Sequence, residues 1–242
     1  MTSTTYQLLE FATPELSIVI PAYNEERFIG RLLELVQAVP LEPLGVTKEI
    51  IVVDDCSKDR TSEIAGAAAG VRVHRMPVNG GKGRAVRAGI DLATGDYLII
   101  QDADLEYDPQ DYVPMVQALL DGRGDVVYGS RYLGKGRHAK QSLAAYLGGR
   151  SLSLVMLACT GHYITDTVTA LKLFPRTLLP SLALETTGFE TDHEITAKVL
   201  ARGLRIVEVP VSYFPRSKEE GKKIGLGDWF IGTRTFWRYR RG

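Results

Sequence analysis

The sequence predicts an α/β protein with a mostly parallel sheet flanked by helices. Five short apolar runs in the first half, at 16–20, 49–53, 71–74, 97–100 and 125–128, have the length of buried strands. A helical pattern follows each of the first four, at a spacing of about 25 residues, as in successive βαβ units. Right-handed crossovers put the C-terminal ends of parallel strands on one edge, where open α/β sheets bind ligands. Asp54, Asp55, Lys82 and an acidic cluster after residue 100 are therefore expected around one crevice.

Taken in order, residues 1–14 are a polar lead-in. Pro21 ends the first strand, and Asn24 has the side chain of an N-cap for a helix carrying Phe28, Ile29, Leu32, Leu33, Leu35 and Val36. The second strand runs into Asp54-Asp55-Cys56-Ser57-Lys58-Asp59, and an alanine-rich helix follows. After the third strand, Asn79-Gly80-Gly81-Lys82-Gly83 opens a helix that reaches Ala93. A glycine turn at a helix N-terminus can present N–H groups to phosphate, although the spacing is neither that of a Walker loop nor of a dinucleotide fingerprint. The fourth strand leads into Gln101-Asp102-Ala103-Asp104-Leu105-Glu106, and Asp108-Pro109 opens the next helix, to residue 120. In extended backbone, alternate side chains share a side. Asp102, Asp104 and Glu106 would then form a carboxylate set suited to a hard divalent cation such as Mg²⁺ or Mn²⁺.

The second half is less regular. An apolar helix is expected over 141–158, with a core position preferred over an interfacial one. Strands are expected at 170–174 and 204–213, an amphipathic helix at 190–200, and an aromatic, arginine-rich helix at 226–239. One domain spans 1–242 in this reading: a donor-binding half (15–128), an acceptor-side half (129–225) and the terminal amphipathic helix (226–242).

Composition excludes several classes. Lys+Arg and Asp+Glu both number 29, so no bulk attraction to nucleic acid is expected. The charge is uneven, however: residues 129–150 hold Arg131, Lys135, Arg137, Lys140 and Arg150 with no acid, and residues 202–242 hold ten basic against four acidic residues. An anionic partner is expected there. The two cysteines, Cys56 and Cys159, lack metal spacing and fit a reduced cytoplasmic protein. His74, His138, His162 and His193 show no zinc spacing. The N-terminus lacks the regions of a signal peptide, and no run of 18 uncharged apolar residues is present.

Ile18-Val19-Ile20-Pro21-Ala22-Tyr23-Asn24-Glu25 and Val52-Val53-Asp54-Asp55-Cys56-Ser57, followed in order by the glycine turn and the acidic cluster, resemble a family 2 inverting glycosyltransferase. With Gly129-Ser130-Arg131-Tyr132, Glu194-Ile195-Thr196-Ala197-Lys198 and Val207-Glu208-Val209-Pro210-Val211, the chain looks most like the dolichyl-phosphate mannose synthase branch, over residues 15–225. The resemblance implies a GT-A-type, Rossmann-like fold and transfer from GDP-mannose or a UDP-sugar to a polyprenyl phosphate. It implies that Pro21, Ala22, Tyr23, Glu25, Asp54, Lys82, Asp102, Ala103 and Asp104 bind the nucleotide-sugar. Asp102, Asp104 and Glu106 would hold Mg²⁺ or Mn²⁺. Asp104, Arg131 and Arg216 would carry catalysis, with Arg131, Arg216 and Lys222 on the acceptor phosphate; Lys218 and Lys223 compete with Lys222 for that role.

A phosphate acceptor is already ionised and needs little general-base help, whereas a hydroxyl acceptor needs a carboxylate base, for which Asp166 and Glu194 are candidates. A family 2 transferase acting on a glycan or small-molecule hydroxyl is therefore the alternative. The expected setting is cytoplasmic, peripheral on an anionic membrane face, with homo-oligomerisation left open. A nucleotidylyltransferase would carry a glycine-rich signature directly after the first strand, where this chain has Pro21-Ala22-Tyr23.

Overall fold

The structure is a computed structural model, and it describes residues 13–134, 143–215 and 226–241. Its strands are β1 (Glu15–Ala22), β2 (Thr47–Asp54), β3 (Val71–Arg75), β4 (Tyr97–Ile100), β5 (Val126–Ser130), β6 (Lys172–Pro175) and β7 (Ile206–Pro210). Its helices are α1 (Ile29–Gln37), α2 (Thr61–Ala67), α3 (Lys82–Leu92), α4 (Tyr112–Leu120), α5 (Leu143–Thr160), α6 (Leu178–Ser181), α7 (Thr191–Ala201) and α8 (Leu226–Tyr239). The seven strands form one sheet in the order β3-β2-β1-β4-β6-β5-β7. Only β6 runs antiparallel to its neighbours; the β1/β2, β1/β4, β2/β3 and β5/β7 pairs are parallel.

The strands are apolar on both faces because both are covered by helices. Leu16, Ile18, Ile20, Ile50, Val52 and Ile99 point into one core with α1 and α4. Val19, Ile51, Val53, Leu98 and Ile100 point into the other, with α3, α7 and α8. The strand order reverses direction at β1, with β2 on one side and β4 on the other. Such a switch point opens a crevice at the strand C-termini. Antiparallel β6 starts where its neighbour ends: Lys172 pairs with Ile100 and so enters the same edge.

Several expectations change. Asn24 does not cap α1, whose N-cap is Phe28. It has a left-handed φ of 56°, its N–H donates to Ser57 Oγ at 2.9 Å, and its Oδ1 accepts from the Lys58 N–H at 2.8 Å. Asn24 thus staples the loop after β1 to the loop after β2. Asp108 does cap, its Oδ1 accepting from Gln110 N–H at 3.0 Å, but it opens a 3₁₀ turn, Pro109–Asp111, before α4. α6 was not expected; its four residues are too few to show a period.

The apolar helix is not a core helix. α5 buries a narrow stripe of Gly149, Leu152, Ser153 and Met156 and leaves Leu143, Leu147 and Leu154 more than half exposed. Its 18 residues and mean hydropathy of 1.3 reach what a membrane-crossing helix needs by length and composition alone. α8 packs beside it, with the Trp229 indole N–H donating to Ser151 Oγ at 2.8 Å. Phe236 and Tyr239 of α8 belong to the core, whereas Phe230 and Trp237 are 67% and 60% exposed.

α7 and α8 meet at His193. Its ring lies 4.9 Å from that of Phe236, and a Cβ at Gly232 would come within 2.6 Å of His193 Nε2, so only glycine allows this approach. Both ring nitrogens are buried and, among the described residues, have no hydrogen-bond partner. Burial pushes the imidazole pKa down to about 4, with the Asp192 charge opposing it. The unfolded chain then binds the proton more tightly than the fold does. The stability from neutral His193 is complete above pH 6.5 and is lost as pH falls to about 4, by on the order of 3 kcal/mol. Thermal melts should show this acid-side decline in the native chain and a flatter profile in His193→Leu; identical profiles would refute it.

Candidate donor and acceptor site

The loops at the sheet edge fix one another. Ala22 is in register with Asp54, and the Asp55 N–H donates to Ala22 C=O at 2.8 Å. The Glu25 N–H donates to Thr61 Oγ1 at 2.8 Å. Pro21 and Ala22 are thereby held as the last residues of β1, with Tyr23 half-buried beside the crevice. Asp54 is fully buried. Its Oδ1 accepts from the Ser57 N–H at 3.0 Å. Its Oδ2 is ion-paired with Arg75 Nη1 at 3.1 Å and, among the described residues, has no aligned hydrogen-bond donor. Such an oxygen suits a ligand N–H or hydroxyl.

The glycine turn departs from expectation. The amides of Gly80 and Gly81 donate to the two carboxylate oxygens of Asp55, at 2.8 and 2.7 Å, and that of Gly83 donates to Thr187 C=O at 2.7 Å. The N–H groups expected to face phosphate are engaged by the protein itself. What the turn presents is Lys82. Glycine is required at two points: Gly81 has a φ of 85°, and a Cβ at Gly83 would fall 2.1 Å from Thr191 Oγ1.

Lys82 belongs to a chain of four charges. Its Nζ lies 2.7 Å from Asp102 Oδ1 and 2.9 Å from Asp192 Oδ2, while Lys172 Nζ lies 3.0 Å from Asp192 Oδ1. Burial alone would lower the Lys82 pKa, but the Asp102 and Asp192 carboxylates overcome it and raise it. Burial would also raise the Asp192 carboxyl, yet the Lys172 and Lys82 ammoniums hold it below the usual range.

The acidic cluster is a turn, not an extended segment, and Leu105 at φ 57° reverses it. The expected same-side alternation of Asp102, Asp104 and Glu106 therefore does not occur. Asp104 Oδ1 accepts from the Glu106 N–H at 3.1 Å, and Glu106 Oε2 accepts from Tyr213 OH at 2.8 Å. Ala103, between Asp102 and Asp104 in sequence, is buried. Among the described residues, no three Asp, Glu, His or Cys side chains are gathered as a metal-binding group.

After β5, Arg131 Nε and Nη2 bind Asp166 at 2.6 and 2.7 Å, and the Arg131 N–H donates to Asp166 Oδ2 at 3.1 Å. The guanidinium also lies over the Tyr213 and Tyr132 rings, 4.9 and 5.7 Å from their centroids. Burial opposes the Arg131 charge, but Asp166 outweighs it and raises the pKa. Glu208 Oε1 accepts from the Asp166 N–H (2.9 Å) and Thr165 Oγ1 (2.7 Å), while its Oε2 accepts from the Thr165 N–H (2.8 Å). Glu208 thus fixes the loop that presents Asp166. Arg216, Lys218, Lys222 and Lys223 lie outside the described residues.

Glu194 is not placed to act as a base. It accepts from the Glu185 and Thr186 N–H groups at 2.8 and 2.9 Å and from Thr186 Oγ1 at 2.6 Å, and it pairs with Lys198 Nζ at 2.7 Å. Burial pushes its pKa up, but the Lys198 and Thr186 contacts prevail and lower it. Asp55 was expected at the crevice, and its carboxylate holds the glycine turn; Lys172, Asp192 and Glu208 were not among the predicted site residues. Lys172 and Glu208 did carry a signal, a lone charge inside an apolar strand, which must find a partner when buried.

A doubly covered, mostly parallel sheet with buried acids, a lysine-tipped turn and an acidic turn at its switch point has the layout of a GT-A-type fold. The Glycosyl transferase family 2 profile matches residues 17–173, and the chain belongs to that family. It is 30% identical over 216 residues to a dolichol-phosphate mannosyltransferase of Pyrococcus furiosus, covering 87% of this chain and 60% of that protein. It is 27% identical over 233 residues to a UDP-N-acetylglucosamine–dolichyl-phosphate N-acetylglucosaminyltransferase of Methanococcus voltae, covering 87% of this chain and 90% of that one. Its fold matches glucosyl-3-phosphoglycerate synthase from Mycobacterium tuberculosis in complex with UDP (TM-score 0.67, 24% identity), over 93% of this chain and 78% of that one.

Proposed function

We propose that this chain transfers a sugar, with inversion, from a nucleotide-sugar to a polyprenyl phosphate at a membrane surface. The observation that carries the acceptor class is the apolar face of α5 beside Arg131. Leu143 and Leu147 are exposed on a helix whose neighbours Tyr146 and Gly149 pack against Tyr132. An acceptor whose chain lies in lipid and whose phosphate meets a guanidinium suits that juxtaposition. The two relatives support it: their names share a dolichyl phosphate and differ in the sugar. A hydroxyl acceptor remains the alternative, but of its two candidate bases Glu194 is engaged by four donors and Asp166 by Arg131.

In this reading residues 15–128 take the donor and residues 129–225 the acceptor. Pro21, Ala22, Tyr23, Glu25 and Asp54 receive the nucleoside. Lys82, Asp102, Ala103 and Asp104 lie toward the diphosphate. Mg²⁺ is usually held by one or two carboxylates together with substrate phosphates, so Asp102 and Asp104 fit that role without a preformed cage, with Glu106 in reserve behind Tyr213. A bound cation supplies charge neutralisation to the departing diphosphate. Arg131, oriented by Asp166, and Arg216 would hold the acceptor phosphate with one of Lys218, Lys222 and Lys223. The acceptor oxygen is already an anion, so positioning and fixed positive charge supply the rate enhancement. UDP- and GDP-sugars offered with a polyprenyl phosphate, followed by phase partition of the labelled product, test the reaction. Product confined to the aqueous phase would favour the hydroxyl alternative.

Asp54→Ala should weaken nucleoside diphosphate binding by roughly 10- to 100-fold, the range for losing a hydrogen bond to a charged acceptor. Calorimetry on the metal-loaded protein checks this; unchanged affinity would leave Asp54 a purely structural residue.

The membrane contact is tested at exposed positions, because removing α8 would strip Phe236 and Tyr239 from the core. Anionic liposomes should bind the chain in a salt-sensitive manner through Arg234, Arg238, Arg240 and Arg241, each near-surface cation adding about 1 kcal/mol. Phe230→Ser combined with Trp237→Ser should weaken binding at least tenfold with little change in melting temperature. Undiminished liposome binding in a folded double variant would defeat a membrane role for α8.

A further inference from the structure

The buried charge chain at the donor edge has a consequence for how cation and nucleotide bind. Asp102, Lys82, Asp192 and Lys172 alternate in sign, with successive contacts of 2.7, 2.9 and 3.0 Å. Lys172 is fully buried, and its Nζ also donates to Thr169 C=O at 2.5 Å. That end of the chain is fixed. Lys82 is anchored by Asp192 and by its place as the first residue of α3, with the Phe189 ring 5.9 Å from its Nζ. At the open end, Asp102 has a quarter of its side chain exposed.

We infer that Lys82 is a resident counter-ion that occupies the cation position on Asp102 and yields it only when cation and diphosphate arrive together. Asp192 is the positioning residue that holds Lys82 there. A divalent cation arriving alone would have to displace an ammonium from Asp102 or sit beside it, and like charges at such separations in a low-dielectric site are strongly unfavourable. A nucleoside diphosphate removes the conflict, because its oxygens accept the Lys82 ammonium while Asp102 turns to the metal. Lys82 therefore couples the two ligands, disfavouring the cation without the donor and the site's uncompensated acids without the cation. This inference rests on the reading of the acidic turn as the donor's metal site.

The test measures free Mn²⁺ by electron paramagnetic resonance in the presence of the full chain, with and without UDP or GDP. Lys82→Met should bind Mn²⁺ alone roughly tenfold more tightly than the native chain, since Asp102 and Asp192 lose their shared ammonium. The same variant should bind the diphosphate without metal roughly tenfold more weakly. Lys82→Gln keeps a hydrogen bond to the carboxylates and should shift both affinities in the same directions, which covers a methionine variant that folds poorly. Native uptake of Mn²⁺ with nucleotide, combined with unchanged Mn²⁺ affinity in the folded lysine variants, would overturn the counter-ion role and leave the donor-site reading standing. No Mn²⁺ uptake by the native chain with either nucleotide would overturn both.

Discussion

Asp104→Ala is expected to lower turnover by about 10³-fold, equivalent to ~4 kcal/mol of transition-state stabilisation, while leaving the fold intact. Asp104 is half-exposed in a turn, where its Oδ1 accepts from the Glu106 N–H at 3.1 Å. Its loss therefore removes little packing. In the proposed reaction the same carboxylate faces the metal and the departing diphosphate, where charge develops most. Single-turnover transfer in Mn²⁺ measures the drop, and circular dichroism confirms the fold. The native chain in EDTA should fall to a similar rate. Native-like transfer by the variant, or by the native chain in EDTA, would sink the metal reading.

Asp166→Ala is expected to destabilise the protein by about 3–5 kcal/mol, the range for a buried charge stripped of its partner. The Arg131 side chain is 11% exposed and Asp166 fully buried, so solvent cannot replace the lost carboxylate. Arg131→Met alone leaves the converse problem, a buried anion that retains, among the described residues, the residue 131 N–H as donor. The double variant Arg131→Met/Asp166→Ala should recover much of the loss, because removing both members leaves no unpaired buried charge. Denaturant midpoints across the four proteins give the coupling. Additive losses would mean the pair is not a unit. The acceptor reading adds a second expectation: all three variants should lose transfer to polyprenyl phosphate, and the restored stability of the double variant should not restore it.

Much of the sheet was legible because its signals are local. Apolar runs with turn residues after them located β1 to β5, and the motifs after β1, β2 and β4 do stand at one edge. The Asp108 cap was also visible, since an Asx residue before proline needs no tertiary partner to begin a turn. The failures fall where distant groups compete for a local one. Asn24 looks like a cap, but Ser57 and Lys58, more than thirty positions on, engage it first. The glycine turn looks like a phosphate cradle, but Asp55 reaches across to its amides. The acidic alternation assumed extended backbone, and a left-handed Leu105 removed it.

By itself, the sequence determined the α/β class, the parallel core strands, the family and the edge at which the chemistry collects. These follow from periodicity and from ordered motifs that depend on neighbours in the chain. Only the tertiary structure decided that Asp192 and Lys172 join Lys82 and Asp102 in one charge chain. It also decided that Glu208 organises Asp166 for Arg131, and that α5 turns a leucine face outward. The reason is physical: a buried charge needs a partner, but that partner can come from any strand or helix the topology brings near. In this fold antiparallel β6 delivers Lys172 to an edge otherwise made of parallel strand ends, and pairing across that edge is invisible to any local pattern.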